Sequence, residues 1–99
     1  MPPRPPALRS VLIVKMSSLG DVVHALPVAS ALRRRYPDLR VSWAVEDWAA
    51  PLLLGHPAID RVIVFPRMSV KEVSRAWLRS FATAVRELRS EPYDVSLDL

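Results

Sequence analysis

Val11-Leu12-Ile13-Val14-Lys15-Met16-Ser17-Ser18-Leu19-Gly20-Asp21-Val22-Val23-His24 decides the fold. Val11 to Val14 form the continuous apolar run of a strand buried on both faces. From Asp21 to Tyr36 the apolar positions Val22, Ala25, Leu26, Ala29 and Leu32 fall at helical spacing. A buried strand that passes through a short polar loop into an amphipathic helix opens an α/β sheet, and such sheets take ligands at the carboxyl ends of their strands. Ser17, Ser18 and Gly20 are small enough for loop N–H groups to face a ligand. Asp21 sits where the unpaired N–H groups and dipole of a helix start favour its anion. A plain N-cap and an ordinary turn account for the same residue types. The loop lacks both Gly-x-Gly-x-x-Gly and Gly-Lys-Ser, so it is neither a standard dinucleotide nor a triphosphate cradle. His24 shares the helix face of Asp21 and is placed to orient the carboxylate. Pro27 predicts that the helix kinks or starts there, because it cannot bond to the Val23 carbonyl.

Outward from this stretch the elements alternate. Arg40 to Glu46 reads as a second strand, with Val41, Trp43 and Val45 alternating against polar or small neighbours. Its carboxyl end carries Glu46 and Asp47 on the rim that Asp21 occupies, so Glu46 is a candidate to hold substrate hydroxyls or support a base. A strand-end acid in plain solvent is the alternative. Trp48 to Leu54 reads as a short helix ended by Gly55, and Arg61 to Phe65 as a third strand. After Pro66 come Arg67-Met68-Ser69 and a helix from about Val70 to Ser90, with Val70, Val73, Trp77, Phe81, Ala84 and Leu88 on one apolar face. Trp77 and Phe81 read as core, and Lys71, Arg75 and Arg79 as a solvated stripe. Arg33-Arg34-Arg35 fits the cation-favouring end of the first helix. Asp94 to Leu99 reads as a fourth strand that the chain leaves unfinished, which predicts a truncated domain. Right-handed crossovers then predict an α/β, Rossmann-like parallel sheet of order 3-2-1-4.

Composition bounds these readings. Ninety-nine residues suffice for one small domain with a thin core, and a 51% apolar fraction argues for a packed chain rather than a disordered one. Met1 to Pro6 holds four prolines and no signal-like apolar core, so residues 1–10 read as a disordered leader to a domain over 11–99. No apolar run is long enough to span a membrane. Cysteine is absent and the two histidines are far apart, so no metal ligands are expected. The net charge of +4 is carried mostly by arginine, which suits phosphate or carboxylate ligands and equally an arginine-rich codon usage. Nucleic-acid binding would rest on that basicity alone, without a recognised motif.

Lys15 to Pro27 resembles the opening motif of the lipopolysaccharide heptosyltransferases, glycosyltransferase family 9. Ser42-Trp43-Ala44-Val45-Glu46-Asp47, followed by His56-Pro57-Ala58-Ile59-Asp60-Arg61-Val62-Ile63, is similar to the family's next segment, in the same order. The details fit the heptosyltransferase I branch, which adds the first heptose to Kdo of the inner core. The resemblance implies the N-terminal, acceptor-side half of a GT-B glycosyltransferase, with the C-terminal donor-binding domain outside this chain. It implies inverting transfer from ADP-heptose to Kdo-lipid A, without a cofactor, on the cytoplasmic face of the inner membrane. Asp21 would be the general base. Ser17, Ser18, Gly20, His24, Glu46, Arg67 and Lys71 would be substrate-binding, although the stretch around Arg67 departs from the family's basic-aromatic pattern. The alternative is a non-catalytic anion- or nucleotide-binding α/β module.

Overall fold

A computed structural model describes residues 8–99. Four strands, β1 (Ser10–Val14), β2 (Arg40–Glu46), β3 (Arg61–Phe65) and β4 (Val95–Asp98), form one parallel sheet in the order β3-β2-β1-β4. Helix α1 (Leu19–Arg35) connects β1 to β2, and α2 (Arg75–Arg89) connects β3 to β4. The expected α/β class and strand order are both present. Registers Val14↔Ala44, Val14↔Asp98 and Glu46↔Phe65 align the carboxyl ends of the four strands along one rim.

Alternation along the strands sends side chains to two separate cores. Val11, Ile13, Val41, Trp43 and Val45 meet Val22, Ala25 and Ala29 of α1. Leu12, Ala44, Ile63 and Phe65 meet Ala84 of α2. β2 is therefore buried on both faces, where the sequence reading had it alternating: Ser42 and Ala44 are as enclosed as Trp43.

Several boundaries differ from the sequence reading, each for a local reason. Helix α1 begins at Leu19 and runs through Pro27, so Pro27 does not start it. Val23 and Pro27 are both exposed, which leaves water to take the carbonyl that proline cannot bond. Helix α2 begins at Arg75 rather than Val70, because the Ser74 hydroxyl caps it by accepting the Trp77 N–H at 3.0 Å. Val70, Lys71 and Val73 therefore lie ahead of the helix, and Val73 is exposed. Trp77 and Phe81 are half-buried rather than core; they stack on one another at 5.2 Å, and Phe81 meets Phe65 edge-on at 5.9 Å. The short helix after β2 contracts to a 3-10 turn, Ala50–Leu52, and Gly55 leaves it at φ +80°, which a side chain would resist. Of the proposed leader, residues 1–7 lie outside the described residues; Leu8 packs against the α1 core and Ser10 opens β1.

Polar ties fix the opposite rim. The Arg33 guanidinium donates to the carbonyls of Pro37 (3.0 Å) and Leu39 (2.6 Å) and to Asp60 (2.5 Å), whose carboxylate also accepts the Val41 N–H at 2.7 Å. Arg33 thus knots the end of α1 to the starts of β2 and β3, more than a dipole effect would require.

Candidate active site

The β1–α1 loop is held by β2. The Trp43 indole donates to the Lys15 carbonyl at 3.1 Å, and the Glu46 N–H donates to the Met16 carbonyl at 2.9 Å. Trp43 has no exposed surface, so its indole needs that acceptor, and the demand pins the loop at the carboxyl end of β1. The Ser17–Ser18 peptide is cis. Ser18 is the N-cap of α1 with extended backbone and no side-chain bond to the helix amides; its hydroxyl donates instead to Asp21 at 3.3 Å.

Asp21 is exposed at the first turn of α1. It lines a cavity of about 280 Å³ together with Lys15, His24, Ala25, Val28 and Leu99. One helical turn puts Asp21 and His24 on the same wall. The Lys15 ammonium donates to the Leu99 carbonyl at 2.6 Å across the opening. A carboxylate, an imidazole and a cation thus share one opening at the carboxyl-terminal rim. Chemically, the set can accept a proton at Asp21 while a positive group faces the developing or resident anion.

The remaining sequence candidates fall into three groups. Ser17, Ser18 and Gly20 are exposed beside this opening, but a Cβ at Gly20 would meet nothing within 4 Å, so no close approach within the chain requires glycine there. Arg67 and Lys71 are exposed in the segment between β3 and α2, and neither lines the Asp21 cavity. Glu46 is only 5% exposed, and its two oxygens accept the Trp48 indole N–H (2.7 Å) and the Met68 backbone N–H (3.1 Å). That engagement corrects the reading of Glu46 as a direct substrate contact: its acceptors are turned to the protein.

Sequence reasoning missed two participants. Lys15 is absent from the sequence candidates, and only the fold brings it to the cavity wall. Trp48 lies under the Arg67 guanidinium, 5.5 Å from the ring centre, and Glu46 two residues earlier gave no sign of that partnership. A larger groove of about 530 Å³ follows β3 beneath α2, lined by Val62, Val64 and Phe65 with Asp47, Arg79 and Glu87 at its margins. It contains none of the sequence candidates, so size does not select it. Among the described residues, no three acidic or histidine side chains gather as a metal site, and no helix is long and apolar enough to cross a membrane.

No family model matches the chain. Lipopolysaccharide heptosyltransferase 1 of Escherichia coli (strain K12) is 36% identical over 93 residues, covering 89% of this chain and 28% of the relative. The structure of E. coli heptosyltransferase WaaC with ADP-2-deoxy-2-fluoro heptose matches with TM-score 0.77 and 32% identity, over 90% of this chain and 29% of that one. A glycosyl transferase family 9 structure from Veillonella parvula DSM 2008 shares the fold at TM-score 0.70 and 20% identity, over 92% of this chain and 26% of that one. The chain spans just over a quarter of the length of these relatives. In sequence and in fold, then, this chain is lipopolysaccharide heptosyltransferase-like, and the proteins it resembles over nearly all of its own length are glycosyltransferases.

Proposed function

We propose that this chain forms the acceptor side of an inverting heptosyltransferase that moves heptose from ADP-heptose to a Kdo hydroxyl of the lipopolysaccharide inner core. The observation that carries the reading is Asp21: an exposed carboxylate on the first turn of α1, in a cavity that also holds His24 and Lys15. In the proposed step an Asp21 oxygen takes the proton of the acceptor hydroxyl while the oxygen of that hydroxyl attacks the anomeric carbon. The bond to the diphosphate breaks on the opposite face, ADP carries away the electron pair, and the configuration inverts. Ser18 donates to Asp21 and so limits its rotation. Lys15 contributes positive charge beside an acceptor whose carboxylate and phosphates are anionic. The helix start adds its own positive end to the same rim. Donor binding is assigned to residues other than these, the acceptor is presented at the cytoplasmic face of the inner membrane, and the 99-residue chain alone is expected to be inactive.

The test is a chimera in which residues 8–99 replace the matching segment of the E. coli relative, assayed with ADP-heptose and Kdo-lipid A. Heptose transfer by the chimera, with none by the isolated chain, is the expected outcome. A folded chimera that binds the acceptor and transfers nothing would instead identify an anion-binding module without chemistry.

A further inference from the structure

Glu46 is a nearly enclosed carboxylate whose hydrogen-bond donors are both uncharged, the Trp48 indole and the Met68 amide. Such a group is expensive to desolvate, so its bonds are of the kind that hold a geometry rather than add much net stability. What they hold is the start of the segment after β3. Glu46 takes Met68 by its N–H, and the Trp77 indole takes Arg67 by its carbonyl at 2.8 Å. The Arg67 guanidinium lies 5.5 Å from the centre of the Trp48 ring, and the indole N–H of that residue donates to Glu46. Among the described residues no carboxylate pairs with Arg67. A guanidinium laid on an aromatic face keeps its N–H fork free along the edge, the geometry that takes two oxygens of one anion. The same Glu46 also reaches the other loop through its backbone, by donating to the Met16 carbonyl.

We propose that Glu46 is a positioning residue that presets Arg67, through Trp48 and Met68, as a two-pronged receptor for an oxyanion at the carboxyl-terminal rim. The anion is a phosphate or a carboxylate; taking it to be the acceptor's rests on the function proposed above. Glutamine cannot replace Glu46. Its amide NH2 would face one of the two donors, leaving either Trp48 or Met68 without an acceptor, and the arginine would lose its fixed platform.

The chain carries three indole N–H reporters, on Trp43, Trp48 and Trp77. In 1H–15N spectra of the full chain, Glu46→Gln is expected to move the Trp48 and Trp77 indole resonances and the Met68 amide, while the Trp43 indole, which donates to the Lys15 carbonyl and not to Glu46, stays in place. Titration with inorganic phosphate, and separately with acetate, is expected to shift the Arg67 Nε–H of the wild-type chain with at least one of them; Glu46→Gln weakens that response at least fivefold. Trp48→Leu leaves Glu46 in place but removes the platform. It gives the same loss and decides the matter if Glu46→Gln does not fold. An Arg67 signal blind to both anions in the wild type, or an unchanged response in the variants, overturns the proposal. These spectra do not depend on transfer, so an inactive chimera contradicts the functional reading and unchanged reporters contradict this one.

Discussion

Helix α1 has weak amphipathic contrast yet buries Val22, Ala25 and Ala29 against the sheet, whereas α2 has a strongly segregated apolar stripe and buries only Ala84. The α1 face encloses Trp43, Leu39 and Leu53 as well, while the α2 face relies on half-buried Phe81, Val85 and Leu88. Polar ties at both ends of α2 make up for the thin contact. Trp77 donates to the Arg67 carbonyl at its start; at its end Arg61 donates to the Glu87 carbonyl and to the Ser90 hydroxyl (2.9 Å). Periodicity thus reports which side of a helix is apolar, not how much of it finds a partner. The contrast also separates two surroundings, because Asp21 stands on the packed helix, whereas the Arg67 backbone is tied to α2 through Trp77.

Truncation in the two layers should break them unequally. Trp43→Ala removes an enclosed indole and its bond to the Lys15 carbonyl, and an expected loss of about 3–5 kcal/mol would consume much of a small domain's stability. Phe81→Ala, at a half-buried position, is expected to cost about 1–2 kcal/mol. Urea denaturation of both variants checks the ranking; equal losses would erase the contrast between the faces.

Within α1 itself, packing is uneven. The start of the helix is open where its middle is packed, and Gly20 has no positive φ and free space at its Cβ position. Gly20→Ala is therefore expected to stabilise by about 0.4–1 kcal/mol in thermal melts. If acceptor affinity also falls, the glycine serves the ligand rather than the fold.

The smallest effect belongs to the tied layer. Glu91 accepts from Arg40 Nε and Nη2, each at 2.7 Å, and lies 3.4 Å from Arg61, and the Arg40 hydrogen bond above all holds its carboxyl below the usual glutamate value. Because the folded state holds this proton more weakly than the unfolded chain, the stabilisation is present above the unfolded value of 4.5 and fades as pH falls through the lowered folded one. Glu91→Gln should flatten the acid limb of the stability profile, and added salt should shrink the difference, since the pair is solvent-screened.

The sheet was legible because its strands are short apolar runs bounded by turn residues, and the order followed from the handedness of the crossovers. Helix α2 was overextended because Val70 and Val73 continue its spacing by chance, while the cap signal at Ser74 is a single serine among several. The cavity at Asp21 was legible from the strand–loop–helix junction, but Lys15 joined it only through the fold. Glu46 was misread for a physical reason: one of its partners is a backbone N–H twenty-two residues away, which no side-chain pattern records.

In the proposed transfer the Asp21 carboxylate is the proton acceptor. Steady-state kinetics of Asp21→Asn in the chimera test it most directly, because asparagine keeps the size and the Ser18 contact but cannot take the proton. The expected kcat is lower by at least about a hundredfold, with the acceptor KM little changed. A kcat within about threefold of the parent chimera, well inside what an auxiliary contact explains, would contradict it.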